Sequence, residues 1–422
     1  MTSSTASIGT ILSSFVNGND SRIKLLVATE FSPNASGGGP AVVRQMLRDW
    51  PAEDLFWWSC LPEREARFGQ RVKAVFCAAI PSKLMPQRRM SRVKSAVLDR
   101  CWAPLAAAHL GRTIRRVQPD AVWVIPHNWA ILPLAAVLPT AGTGFHVSMH
   151  DYVDVHGQSQ KFGASQCKRM ALLADQIYLG ATTRDAISFP MMEDLKARTH
   201  AGAANLIRAG LEVEDFRELE AERPAIPSEV RIAYAGSILV PKEFALFVKA
   251  LREIRPGLPR PVRLDLFGAH SYAAEAWFDA GWMREHGNLP EPELRTALRG
   301  CTWGFAPMAL TDDDPRYNRF SLPTKFITYL AAGLPVIALG HPASSVMRMA
   351  RQYGVGIASE AESVEALAGD LRGPLSESSP LTRYAGEIIR CARTEFDANR
   401  MRALLKNCFA RGAEATRAFN AR

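Results

Sequence analysis

In the stretch SLPTKFITYLAAGLPVIA, residues 321–338, a lysine falls in the first turn of a helix that Ser321 can cap and Pro323 can open. Cations are favoured at the opposite end of a helix, so Lys325 is at home there only beside an anion. The free N–H groups of that turn, Ser321-Leu322-Pro323-Thr324, form an anion site, and Lys325 adds a full charge. A phosphate resolves the misplacement; a lysine turned to solvent is the alternative. Two further loops share this chemistry. RIAYAG runs into SILVPKEF, which puts Lys242 in a loop that opens a helix. In NASGGGP, Gly37, Gly38 and Gly39 allow close approach of backbone to a ligand, and Pro40 suits a first helical position. Three anion-friendly loops at corresponding strand ends predict a phosphorylated ligand.

The elements that must hold these loops alternate strand and helix twice. IKLLVATEF (23–31) is a short apolar run bounded by polar residues, as a buried parallel strand should be. Further strands are expected at DLFWWSCL, VKAVFCAAI, AVWVIP, GFHVSMH and QIYLGATT, and ANLIRAGL closes this half. ELEAERPAIPSE (218–229) is charged, holds two prolines and reads as a linker. The alternation restarts with strands at VRIAYAG, VRLDLFG, CTWGFAPM and LPVIALG, and helices at KEFALFVKALREI, PELRTALRG and LPTKFITYLAAG. Two such sets predict two doubly wound, Rossmann-like parallel-sheet α/β domains facing a central cleft, over 23–217 and 230–380. A loose tail (1–22) precedes them. Charged helices (381–422) follow and can return to the first domain. The ligand is expected in the cleft, outside the carboxyl ends of the strands.

Of 422 residues, 47% are hydrophobic and 22% charged, as in ordinary globular proteins. Seven scattered cysteines without a C-x-x-C pair suggest neither a disulfide framework nor a zinc site, and favour a reducing compartment. The first 22 residues lack a basic n-region before an apolar core, which argues against a secretory signal. WAILPLAAVLPTA (129–141) is too short to span a bilayer and reads as a buried helix. The net charge of +9 is concentrated between Lys83 and Arg116, where nine basic residues face Asp99 alone. Interleaved with Leu84, Met85, Met90, Val93, Val97 and Trp102, they suit an anionic lipid surface or a solvated helical face. No nucleic-acid module accompanies the charge.

The chain resembles the family 4 retaining glycosyltransferases, whose two-Rossmann-domain fold is called GT-B. YAGSILVPKEFALFVKAL is similar to their G-R-x-x-x-x-K-G segment, and LPTKFITYLAAGLPVIA to P-x-K-x-x-E-Y-x-A-x-G-x-P-V-I. HGNLPEPELRTALRGCTWGFAPM resembles the segment that holds the nucleotide base, and SMHDY the common His-Asp after the fifth strand. The resemblance implies that Gly37, Gly38 and Gly39 line the donor phosphates and acceptor cleft. By the same resemblance His150, beside Asp151, stands near the reacting sugar; without it, His150 reads as a core histidine. Lys242 and Lys325 would neutralise the departing diphosphate, and the backbone from Gly287 through Leu289 to Pro290 would receive the base.

Two positions depart from the pattern. Ser237 stands where the family carries Arg, for which Arg316 or Arg319 could substitute in space. Thr328 stands where a ribose-binding Glu is usual, and Phe320 replaces that residue's partner Glu. The implied activity is transfer of a sugar from a nucleotide-sugar donor to a glycan or lipid-linked acceptor with retention, in polysaccharide or cell-envelope assembly. No cofactor or metal is implied, and Asp312, Asp313 and Asp314 read as a solvated loop. A cytoplasmic protein, peripheral at the inner membrane face through 83–116, is the corresponding expectation. The rival reading is an inactive GT-B partner that binds another transferase, with Ser237 and Thr328 as marks of lost activity.

Overall fold

Leu25 to Ala28 are fully buried, Leu26 and Ala28 against one layer of helices and Leu25 and Val27 against the other. A strand covered on both faces has no solvent side and reads as an unbroken apolar run. In the computed structural model, which describes residues 22–35, 37–63, 69–85, 91–152, 164–221, 228–313 and 316–421, this pattern builds two sheets. The first contains β1 (Leu25–Thr29), β2 (Leu55–Ser59), β3 (Ala74–Cys77), β4 (Ala121–Val124), β5 (Phe145–Met149), β6 (Thr183–Ala186) and β7 (Asn205–Leu206). The second contains β8 (Val230–Ala235), β9 (Val262–Phe267), β10 (Met283–Gly287), β11 (Trp303–Pro307), β12 (Val336–Leu339) and β13 (Gly356–Ser359).

Every pairing is parallel. The strand orders are β3-β2-β1-β4-β5-β6-β7 and β10-β9-β8-β11-β12-β13. Each order reverses once, between β1 and β4 and between β8 and β11. At such a switch point the connecting helices leave to opposite faces and a crevice opens at the carboxyl ends. The two expected doubly wound domains are therefore present.

Three element boundaries differ from the sequence expectation. QIYLGATT is not a strand through its length: a helix runs from Ala164 to Gly180, and β6 begins only at Thr183. Cys167, Met170, Ala174, Ile177 and Tyr178 are its buried residues, a helical spacing that the short apolar run concealed. β10 and β13 were not anticipated, because each is an edge strand with one neighbour, and MREHG and GIAS carry little apolar signal. Finally, the lysine-bearing helix spans Thr324–Ala331 with Pro323 at its N-cap and no side-chain cap. Ser321 does not cap it. Leu322 precedes a proline and is steered away from helical torsions, so the helix cannot start early enough for Ser321 to reach it.

The 129–141 segment is helical and largely buried, as expected. No helix among the described residues is long and apolar enough to cross a membrane. The tail expected at 1–22 lies, up to residue 21, outside the described residues, as do residues 222–227 of the expected linker. The chain passes between the two cores at Gly210–Glu212, ahead of the linker expected at 218–229, whose residues 218–220 close the helix Val213–Glu220, and again at Phe396–Ala398. There the two segments run side by side, with Leu211 N donating to Phe396 O (2.5 Å) and Ala398 N to Leu211 O (3.0 Å). Arg402 forks onto Glu212 with both contacts at 2.8 Å, pinning the crossing to the helix Ala398–Asn420. That last helix packs on β4, β5 and β6 of the first sheet.

Candidate functional site

Lys325 is the second residue of its helix, inside the first turn. Its Nζ donates to Tyr234 Oη at 2.8 Å and sits 4.0 Å from the centre of that ring. Tyr234 in turn donates to the Ser237 carbonyl at 2.8 Å, and burial pushes its phenol pKa up, so it stays a donor. These contacts hold the ammonium at the β8 side of the second switch point. Among the described residues no carboxylate pairs with it. Burial accordingly pulls its pKa from 10.5 to about 7.

The glycine loop meets this helix across the cleft. Gly37 has φ 118°, a conformation closed to residues with a side chain, and is the N-cap of the helix Gly38–Met46. Pro40 is thus the third helical residue instead of the first. A Cβ placed on Gly38 would lie 3.4 Å from Thr324 Cγ2, and one on Gly39 would lie 3.8 Å from His150 Nδ1. Two helix N-termini, neither capped by a side chain, therefore converge within a van der Waals contact. Like dipole ends and a lysine gathered in one place are unfavourable alone and favourable around an anion.

His150 follows β5 and is half-buried against Gly39. Burial lowers its pKa, with Asp185 and Asp151 pulling the other way and His127 adding to the fall. A neutral imidazole beside the cleft can donate or accept one hydrogen bond to a sugar hydroxyl. Asp151 itself is exposed.

The sequence reading missed a group in the first domain. Glu30 follows β1, only 7% exposed. Its Oε2 accepts from Asn128 Nδ2 at 2.6 Å and contacts His127 Nδ1 at 3.0 Å. The only early signal was an acid closing an apolar strand run, ATEF, and a His-Asn pair directly after another, VIPHN.

The remaining predicted residues divide into those at the cleft and those occupied elsewhere. Lys242 is exposed on the first turn of the helix Pro241–Ile254 that follows β8, with Ser237 exposed in the same loop. Gly287, at φ 70°, ends β10, and its carbonyl accepts from Gly268 N at 2.9 Å. Leu289 and Leu322 pack their side chains into the second-domain core, so only their backbones can serve a ligand. Arg319 Nε donates to Asp312 Oδ2 at 3.0 Å, which ties up the guanidinium considered as a stand-in for the family arginine. Asp312 is held by that ion pair and Asp313 accepts from Thr311 Oγ1 at 2.6 Å, while Asp314 lies outside the described residues. Thr328 Oγ1 donates to the Thr324 carbonyl of its own helix at 3.1 Å.

No family model matches the chain, and no curated protein matches it by sequence. Among solved structures it has the fold of GT-B glycosyltransferases. It is similar to sucrose-phosphate synthase from Thermosynechococcus elongatus (14% identity, TM-score 0.59, covering 92% of this chain and 98% of that one). A second likeness is to WaaG, a glycosyltransferase involved in lipopolysaccharide biosynthesis (12%, 0.57, 88% and 95%). A third is to the trehalose-6-phosphate protein of E. coli bound with UDP-2-fluoro glucose (11%, 0.60, 91% and 98%). At these identities the likeness is one of fold.

Proposed function

We propose that the chain is a retaining glycosyltransferase that moves a sugar from a nucleotide-sugar donor to a glycan or lipid-linked acceptor without a metal ion. One observation carries this reading: the uncapped N-termini at Gly38 and Thr324 meet across the cleft beside Lys325. A diphosphate is the ligand whose charge suits that meeting. Fold neighbours support it, since one was solved with UDP-2-fluoro glucose and another takes part in lipopolysaccharide biosynthesis.

In the proposed reaction the anomeric C–O bond breaks toward an oxocarbenium-like state while charge grows on the leaving diphosphate. The N–H groups at Gly38 and Thr324, with Lys325 and Lys242, stabilise that charge. The acceptor oxygen bonds to the anomeric carbon on the face the diphosphate leaves, and its proton passes to the leaving phosphate. His150 holds a hydroxyl of the transferred sugar. Gly287 to Pro290 receive the base through backbone groups, and the ribose is held without the usual carboxylate, since Thr328 bonds back to its own helix.

The test is a thermal-shift panel of UDP-, GDP-, dTDP- and ADP-sugars, with calorimetry on those that stabilise. At least one sugar nucleotide should raise the melting temperature. The turned-back Thr328 hydroxyl favours one rival, an inactive partner protein that binds another transferase, and heat from none of the four would decide for it. The acceptor side invites a second measurement. Val93 and Leu105 are 54% and 70% exposed in helices that also expose Arg92, Arg112, Arg115 and Arg116, a combination suited to an anionic bilayer. Arg88 and Arg89 of the same run lie outside the described residues. Co-sedimentation should be stronger with anionic than with neutral liposomes; equal binding to both removes the membrane from the proposal and leaves a solvated surface.

A further inference from the structure

We propose that Glu30, His127 and Asn128 form a sugar-hydroxyl site in the first domain and that the acceptor group seated there is uncharged. This rests on the transferase reading for the word acceptor; the site itself is argued from its own atoms.

The three residues stand at the first sheet's switch point, Glu30 after β1 and the pair His127–Asn128 after β4. That is the crevice where a doubly wound sheet offers room to a ligand. The geometry is built and oriented. The Glu30 carbonyl accepts from Cys60 N (3.1 Å) and Leu61 N (2.9 Å), which fixes its backbone. Asn128 and His127 then hold one carboxylate oxygen, Oε2. Among the described residues the other oxygen, Oε1, has no hydrogen-bond donor.

Asn128 adds an independent observation. It is 6% exposed, and its Oδ1 is buried with no partner among the described residues. Its φ of 41° lies in the left-handed region, which asparagine enters more readily than most side chains and which here opens the turn Asn128–Ala130. A network serving the core alone would satisfy its acceptors, because an unmet buried polar atom costs about 1–3 kcal/mol. Here the buried Asn128 Oδ1 is left over, beside a Glu30 Oε1 that accepts from no described residue.

Those leftovers specify the ligand chemistry. Two acceptors ask for two donors, and adjacent sugar hydroxyls supply them. A phosphate brings no donor at neutral pH and is repelled by the Glu30 carboxylate, the reverse of the Lys325 side of the cleft. The His127 ring next to Glu30 acts electrostatically on His150, which ties this site to the cleft's His150–Gly39 contact. The molecule thus divides its crevice by charge, diphosphate toward the second domain and neutral hydroxyls toward the first. The hydroxyls belong either to a free glycoside or to the sugar end of a lipid-linked one.

Saturation-transfer NMR with methyl and octyl glycosides of glucose, galactose and mannose, and with their 6-phosphates, tests this on the full chain without nucleotide. At least one neutral glycoside should bind, and more tightly than its 6-phosphate. Glu30→Gln and Asn128→Ala should each weaken that binding by a factor of about 10, the loss of a hydrogen bond to a charged group. A gain for octyl over methyl assigns the lipid-linked source, and equal binding the free one. Far-ultraviolet dichroism and melting confirm that each variant is folded, and Asn128→Ala removes no charge if Glu30→Gln proves unstable. The proposal is overturned by a preference for the 6-phosphates, by equal binding to wild type and folded variants, or by no glycoside binding. Failure of every sugar nucleotide in the thermal panel would instead strike the transferase reading and leave this outcome to stand by itself.

Discussion

Lys325 was legible because a cation in a first helical turn contradicts the helix dipole, and one residue type at one position suffices to show it. Glu30 was not, because its meaning lies in His127 and Asn128, 97 and 98 residues away. The lysine's environment sets a pH dependence. In the free protein its ammonium titrates at about 7, and a diphosphate beside it raises that value. Binding therefore takes up a proton above pH 7. Affinity should be full below pH 7 and fall as pH rises past it, by up to about tenfold per unit. Calorimetry from about pH 6 to pH 9, in buffers of different ionisation heat, measures the uptake; a flat profile would remove Lys325 from the phosphate site. Lys325→Ala should lower turnover about 100-fold, as loss of a transition-state charge donor does.

At the scale of elements, the central strands announced themselves because burial on both faces leaves no polar residue to interrupt them. The second sheet's edges, β10 and β13, did not, since β10 is only partly covered and its MREHG mixes charge with one buried methionine. The beginning of the Thr324 helix was misjudged for a different reason: Ser321 has the chemistry of a cap, but the intervening Leu-Pro removes the geometry. β5 and β6 also carry a polar network that no periodicity reveals. His146, fully buried, contacts Asp185 Oδ2 at 2.7 Å and Thr183 Oγ1 at 2.9 Å, while Ser148 Oγ donates to the same carboxylate oxygen at 2.6 Å. Burial opposes the imidazolium, yet Asp185 and Cys408 outweigh it and raise the pKa to about 9. A raised folded-state value contributes stability that is whole below the unfolded pKa of about 6.5 and is lost as pH climbs through 9. Asp185→Asn should cost about 3 kcal/mol near neutrality and abolish this decline. Denaturant melts of both proteins at neutral and alkaline pH would show it, and parallel slopes would refute the assignment.

For the whole molecule, the two-domain plan was readable from the repeated alternation, while the final helix was anticipated only as a charged appendix able to turn back. Its apolar face explains where it goes. Phe409, 1% exposed, meets Trp50 and Trp123 with ring centres 5.5 Å apart in each case, and His146 at 5.8 Å. Thr416 Oγ1 accepts from Gly144 N at 2.8 Å and donates to the Asp120 carbonyl at 2.6 Å, locking the helix onto the loops that feed β4 and β5. Phe409→Ala should destabilise the first domain by about 3–5 kcal/mol, read from a denaturant melt followed by tryptophan fluorescence. A loss below about 1 kcal/mol would mean the helix is an accessory.

The return of Ala398–Asn420 to β4, β5 and β6 also sets a timetable for synthesis. The strands of the first sheet emerge from the ribosome early, yet one of their covering layers is translated only after the second domain. At about 5–20 residues per second, roughly 190 residues of second domain separate the two, a wait on the order of ten to forty seconds. During it Trp123 and its neighbours lack their cover, so the nascent chain is a natural client for a chaperone, and the second domain, translated in the meantime, can finish before the first.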